Sequence, residues 1–245
     1  MSATVNEYGQ PIGAPVPNWT TRPRPVPTAQ EGRFCWVEPL RADHAPALHR
    51  ALADDRLWTY IPVGPFDTDE AFAGYLRSLL DNTSTATRVI VDSSTGLPVG
   101  MAIYLRVEPS VGSIEVGGIV FAPTLQRTPA ATEAMYLMAR HAFDDLGYRR
   151  YEWKCDSLNA PSRAAARRFG FAPEGVWRNA IVYKGRNRDT AWFAMTDADW
   201  SALRAEFEAW LDPSNFDDGR QRTRLSDRTT AVRERLDAPA ARAER

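Results

Sequence analysis

The stretch Ser113–Glu133, SIEVGGIVFAPTLQRTPAATE, decides how this chain is read. It begins as a run of apolar and β-branched residues ending near Phe121, crosses a short loop, and opens a helix at about Pro129. The helix carries Met135, Met138, Ala139, Ala142, Phe143 and Leu146 on one face, and Gly147 is a fitting C′ residue. Small residues at its opening let a ligand approach the backbone. The first-turn amides there have no intrahelical partner and lie at the positive end of the helix dipole. Such an opening suits a phosphate or pyrophosphate, although an ordinary strand-to-helix crossover has the same spacing. Within the strand, Gly117-Gly118 marks either a bulge or a tight packing contact under a helix. A bulge would splay this strand from its neighbour and free main-chain groups for an extended ligand.

Working outward, strands are expected at Arg33–Pro39, Arg88–Asp92, Leu97–Val107, around the alternating Tyr151, Trp153 and Cys155, and at Gly175–Tyr183 and Thr190–Met195. Asp43 can N-cap a helix through about Ala53, and Asp67 with Glu70 has capping-box spacing before a second. A short helix follows from Asn159 to Phe169, and a final one from Ala198 to Leu211. Strands and helices alternate, so the fold class is α/β with a mixed sheet. Residues 1–32 hold six prolines and no periodicity, which reads as an extended arm, ordered only if it lies against the body. The folded domain is expected over 33–211. Residues 212–245 mix eight arginines with seven acids and read as a charged, flexible tail, with Thr229–Leu236 as a possible short helix.

Composition excludes several classes. The chain has 245 residues, and 30 Lys+Arg against 31 Asp+Glu leave a formal charge of −1, so no global field recruits nucleic acid or an anionic membrane. No apolar run reaches the roughly 18–20 residues of a membrane span. No signal-peptide pattern opens the chain, so a cytoplasmic location is expected. Cys35 and Cys155 cannot build a disulfide framework, and His44, His49 and His141 have no metal-like grouping, so no metal is expected. No G-x-G-x-x-G follows a strand and no P-loop is present, which removes the common nucleotide folds. Only Lys154 and Lys184 are lysines; in so arginine-rich a chain, single arginines say little about anion binding.

Three strings, LQRTPAATEA at the central helix, NAPSRAAARRFGF at 159–171, and GRNRDTAWFAMTDADW at the end of the sheet, resemble the GNAT superfamily of acyl-CoA-dependent N-acyltransferases. The resemblance covers about residues 33–200 and is nearest to the branch containing the ribosomal-protein N-terminal acetyltransferases. It implies a mostly antiparallel sheet of six to seven strands, helices on both faces and splayed central strands. It also implies acetyl-CoA as cosubstrate. Gln126, Arg127, Thr128, Ala130, Ala131 and Thr132 would surround its pyrophosphate, and Ile119, Val120 and Phe121 would pair with the pantetheine arm. Asn159 matches the family asparagine that bonds the pantetheine, and is equally a plausible N-cap. Two departures matter. The central glycine of the pyrophosphate loop is Pro129, which has no amide to donate. The tyrosine that protonates the leaving thiolate in many members is Ala166, but Ser162 stands where the ribosomal-protein branch can place a serine in that role.

Acetylating an amine requires a neutral nucleophile, a polarised thioester carbonyl and a proton for the departing thiolate. Glu115 is the candidate base, lying opposite the apolar face formed by Ile114 and Val116; the alternative is a surface glutamate. Ser162 is the candidate acid; the alternative is a solvent-facing first-turn residue. By resemblance, Trp58, Tyr60, Phe66, Tyr104 and Trp177 are candidates to line the acceptor pocket, although most aromatics in such a core simply pack. The expected function is acetyl transfer to a primary amine of a small molecule by direct attack on the thioester, with a protein N-terminus as the alternative acceptor, and a homodimer is the expected assembly. A non-catalytic CoA-binding module is the competing class, motivated by Pro129 and Ala166.

Overall fold

Alternation along each strand builds a sheet with two unlike faces. A computed structural model describes residues 4–238, and its main sheet contains β1 (Gln30–Glu31), β2 (Cys35–Pro39), β3 (Ala86–Asp92), β4 (Pro98–Glu108), β5 (Ser113–Phe121), β6 (Arg150–Asp156), β7 (Ala172–Tyr183) and β8 (Arg186–Thr196). Their spatial order is β1-β2-β3-β4-β5-β6-β8-β7, and all neighbours are antiparallel except β5 and β6. The mixed, mostly antiparallel sheet is therefore as expected, with eight strands rather than six to seven. The addition, β1, comes from the stretch assigned to the arm.

The front face, with Val89, Val91, Met101, Ile103 and Val120, is covered by α1 (Ala45–Ala51) and α2 (Asp69–Asp81). The back face packs under α3 (Pro129–Arg140), α4 (Ala160–Arg168), α5 (Asp197–Leu211) and α6 (Leu225–Asp237). Two helix starts differ from expectation. Asp43 lies inside a 3₁₀ turn, Ala42–His44, and caps nothing. Thr68, not Asp67, caps α2, because its hydroxyl accepts the Ala71 amide at 3.1 Å. The central helix changes to a π turn over His141–Asp145 before Gly147, at φ +70°, ends it.

Residues 213–237 do not form a loose tail. They fold into a 3₁₀ turn, a small hairpin and α6, which buries Leu225, Thr229 and Val232 against α4 and α5. Of the charges that suggest solvation, Glu234 and Arg235 lie on the outer face of an amphipathic helix, whereas Arg228 and Arg233 turn towards Glu206 and Asp199 of α5. The proline-rich arm is held along the lower edge of the sheet. Trp19 Nε1 donates to the Ser110 carbonyl at 2.9 Å, and the carbonyls of Pro23 and Val26 accept from Tyr148 Oη at 3.1 Å and Arg88 Nη2 at 2.6 Å.

The middle of the sheet is irregular where the glycines lie. Pairing of β4 with β5 runs Gly100 with Phe121 and Met101 with Val120, then slips by one to Ile103 with Gly117. Gly118 stands at φ +54°, and a Cβ there would meet the Ile103 side chain at 2.6 Å, so the bulge requires glycine on both counts. Beyond it the sheet divides. β5 and β6 are paired from Ser113 with Arg150 to Val116 with Trp153, and no further. Residues 154–156 continue against β8 alone, leaving a fork between Gly117–Phe121 and Lys154–Asp156.

Candidate active site

The fork opens towards the first turn of α3. Ala122 donates to the Val99 carbonyl at 2.9 Å, so strand alternation turns the main-chain groups of Ala122 and Val120 towards β4. Those of Ile119 and Phe121 consequently face the fork, the edge an extended arm would use. The Phe121 carbonyl already accepts from Gln126 Nε2 at 2.9 Å, so Gln126 lies across this edge.

At the helix opening, the donors are fewer than expected. Arg127 adopts φ +62° and turns the chain into the helix. Pro129 has no amide, the Ala131 amide is taken by the Thr128 cap at 3.2 Å, and the Gln126 amide by the Ala122 carbonyl at 3.1 Å. That leaves the Arg127 and Ala130 amides free of partners among the described residues. Thr132 is buried at 1 % exposure, with its hydroxyl accepting from Arg168 at 3.0 Å, so burial turns its side chain away from a phosphate at the surface.

Glu115 and Ser162 approach the fork from opposite faces. Glu115 projects from the front of β5 and is only 4 % exposed, not a surface glutamate. Burial pushes its carboxyl above the usual glutamate range, opposed by the nearby Lys154 and Arg106 cations. On the back, Asn159 caps α4 by accepting the Ser162 amide at 3.1 Å. Ser162 Oγ accepts from Trp153 Nε1 at 3.0 Å and stands beside the Cys155 thiol. A hydroxyl that accepts from an indole keeps its own hydrogen for donation. Cys155 is buried, with its thiol pushed up chiefly by burial, which makes it a core residue rather than a nucleophile.

The five aromatic candidates separate. Tyr104 is fully buried on the back face and donates to the Met138 carbonyl at 2.8 Å, so it anchors α3 and lines no acceptor pocket. Trp58 is buried in an aromatic cluster under α2, with Nε1 given to the Leu52 carbonyl at 3.0 Å. Phe66 stacks on Tyr75 in that cluster at 5.0 Å. Tyr60 instead reaches across to the Leu158 carbonyl at 3.3 Å, beside the start of α4. Trp177 is exposed on β7, with its ring 4.1 Å from that of Trp192. In each anchored case the indole or phenol hydrogen has an interior carbonyl partner, a signal absent from residue type and spacing.

A family model of the acetyltransferase (GNAT) domain matches residues 35–172, more than half of the chain. The chain belongs to the GNAT acetyltransferase family. It is similar to a GCN5-related N-acetyltransferase from Brucella melitensis, at 40% identity over 88% of this chain and 100% of that one, with a TM-score of 0.86. A GNAT-family protein from Chromobacterium violaceum is 41% identical over 79% of this chain and 98% of its own, with a TM-score of 0.75. The ribosomal-protein-S5-alanine acetyltransferase of Vibrio fischeri shares the fold at 18% identity and a TM-score of 0.59, over 71% and 98% of the two chains. No curated protein sequence matches significantly.

GNAT acetyltransferases take acetyl-CoA as cosubstrate, and the residues present fit it. The fork offers strand groups at Ile119 and Phe121 that pair with no neighbouring strand, the Phe121 carbonyl being held by the Gln126 side chain, and the α3 opening offers two free amides to an anion. The residues also explain how Pro129 is accommodated: it occupies the first helical position, where a proline costs no helix hydrogen bond. Two residues missed by sequence reading support this geometry. Glu133, buried on α3, accepts from the Arg33, Phe34 and Cys35 amides at 2.8, 2.6 and 2.9 Å, fastening the start of β2 to the helix. Lys154 lies at the base of the fork, within 3.0 Å of Glu115. An acid buried at the opening of an apolar helix and a lysine in an arginine-rich chain were the available signals.

Proposed function

We propose that this GNAT enzyme acetylates a primary amine of a small molecule by direct attack on the thioester. The observation that carries the reading is the fork, with Glu115 on its front face and the Ser162 hydroxyl on its back. The neutral amine attacks the thioester carbonyl, forming the C–N bond as the C–S bond breaks. Glu115 takes the proton released by nitrogen, directly or through water, and Ser162 donates one to the departing thiolate. The Arg127 and Ala130 amides receive the pyrophosphate, and the Ile119 and Phe121 main chain receives the pantetheine arm once Gln126 swings aside.

A small acceptor is favoured by the wall in front of the fork. The tip of the β7–β8 hairpin is tied to the opposite side, with Lys184 Nζ on the Trp58 carbonyl at 2.7 Å and Arg186 Nη2 on the Thr59 carbonyl at 3.1 Å. Tyr60 closes the same side against Leu158. Such a bridged entrance suits a compact amine better than an extended chain terminus. Trp177 and Trp192 would present an aromatic surface beside it. We assign the exposed outer edge of β7, with Val176, Ile181 and Val182, to a homodimer, and the cytoplasm as its place of action.

The test is thiol release from acetyl-CoA with amino-acid amides, amino sugars, polyamines, and peptides beginning with serine or alanine. The proposal expects a small amine to be fastest; a peptide preference would make the enzyme a protein N-terminal acetyltransferase. Glu115→Gln and Ser162→Ala should each reduce kcat at least about tenfold while leaving the acetyl-CoA thermal shift in place. No turnover with any amine, despite such a shift, would favour a CoA-binding module. Because only the carboxylate can accept a proton, and burial raises the Glu115 pKa, kcat/KM should decline as pH falls through a value above the ordinary glutamate range. A rate flat through that range would remove Glu115 as base.

A further inference from the structure

Lys154 follows Trp153, the last β6 residue paired with β5, and so stands at the base of the fork. Its side chain is 3 % exposed. Nζ lies 3.0 Å from Glu115 Oε2, 2.6 Å from Glu152 Oε2 and 3.7 Å from the centre of the Trp192 ring. Two carboxylates and an indole face form a seat for an ammonium ion. On the other side, Arg106 of β4 brings Nε to 3.0 Å from the same Glu115 oxygen. Both cations approach Oε2 off the hydrogen-bonding direction, as ion pairs.

The two oxygens of Glu115 therefore have different surroundings. Oε2 faces two cations. Oε1 lies over Gly117, 3.1 Å from where a Cβ would stand on that residue, at the point where the strands separate. We propose that Lys154, seconded by Arg106, is a positioning residue that fixes Oε2 so that Oε1 addresses the fork, and that keeps this buried carboxylate charged. The proposal rests on the reading of Glu115 as the base.

A purely structural ion pair is a poor account of this arrangement. Burying a lysine carries a desolvation cost, and apolar residues of similar volume often serve stability as well or better. The charges facing Glu115 are Lys154 and Glu152 from β6 and Arg106 from β4. Arg150 sits behind Glu152, bonded to it at 2.7 Å and to Glu174 of β7 at 2.5 Å. Without Lys154, Glu115 would face its register neighbour Glu152 with only the exposed Arg106 to offset it. Repulsion between the carboxylates would then favour protonation of Glu115.

The experiment compares the pH dependence of thiol release, using acetyl-CoA and the fastest amine of the panel above, for the full chain and for Lys154→Met, Lys154→Arg, Arg106→Gln and Glu115→Gln. Carbon-13 NMR titration of the Glu115 carboxyl, assigned by its loss in Glu115→Gln, runs alongside and needs no acceptor. Lys154→Met is expected to move the acid limb of kcat/KM and the carboxyl titration upward together by about one pH unit or more, a tenfold loss of base on that limb. Lys154→Arg should keep the limb within a few tenths of a unit, and Arg106→Gln should move it upward by less than Lys154→Met. If Lys154→Met fails to fold, Arg106→Gln and the NMR titration decide. A limb and a titration that stay in place when the cations are removed, while Glu115→Gln still abolishes turnover, would overturn the positioning role but leave the base intact. Unchanged turnover in Glu115→Gln would overturn both.

Discussion

Removing residues 213–245 should lower the thermal unfolding midpoint by about 10–20 °C and abolish acetyl transfer. α6 closes the back layer of the molecule. Leu225, Thr229 and Val232 are buried beneath it, and Leu203, Phe207 and Trp210 of α5 belong to the same core. Losing two fully buried aliphatic side chains and uncovering their partners forfeits about 5 kcal/mol, which in a domain of this size corresponds to that fall in midpoint. The polar contacts point the same way. Thr229 Oγ1 donates to the Arg168 carbonyl at 3.0 Å, and Arg233 Nε donates to the Gly170 carbonyl, so α6 satisfies carbonyls at the end of α4. Arg233 also pairs with Asp199 of α5 at 3.1 Å. Because α4 begins with Asn159 and carries Ser162, loosening its far end should reach the acid. Differential scanning calorimetry with acetyl-CoA titration checks this, and a midpoint within 2–3 °C of the full chain would show α6 to be dispensable.

What could be read from sequence, and what could not, follows from the range of each interaction. The bulge at Gly118, the strand-to-helix step at Phe121–Pro129 and the Asn159 cap were legible because each is a local device. Their constraints act within a few residues and leave their mark as glycine, proline or asparagine. The inward or outward direction of Glu115 was legible from alternation in β5. Its burial was not, because that depends on Lys154 and Arg106 arriving from neighbouring strands. Tyr104 and Trp58 were misplaced for a related reason: both are satisfied by carbonyls supplied by other elements, and an aromatic with an interior partner looks the same in sequence as one facing a substrate. The C-terminal segment was misjudged by its charge, since Arg228 and Arg233 sit on α6 facing Glu206 and Asp199. A helix packed through Leu225 and Val232 needs few apolar residues.

Glu133→Ala should lower the unfolding midpoint by about 10 °C and weaken acetyl-CoA binding, although the residue is absent from the expected phosphate loop. Its carboxylate accepts the three successive amides of Arg33, Phe34 and Cys35, and it is 5 % exposed. Hydrogen bonds to a charged group contribute about 1.5–3 kcal/mol each, and truncation leaves donors without partners in a buried place, so about 4 kcal/mol is the expected loss after partial relaxation. The arrangement cannot readily be replaced from the other side. A side chain at Gly32 would run into the carboxylate, and Cys35 already gives its thiol to the Ala130 carbonyl at 3.4 Å. Those contacts fix β2 against the first turns of α3, the helix whose opening holds the free Arg127 and Ala130 amides. Affinity for acetyl-CoA should therefore fall with stability. Thermal unfolding together with calorimetric titration separates the two, because a variant that is less stable yet binds acetyl-CoA with unchanged affinity would show that Glu133 holds the sheet without shaping the phosphate site. Glu133→Gln, which keeps one acceptor oxygen, should recover part of both losses.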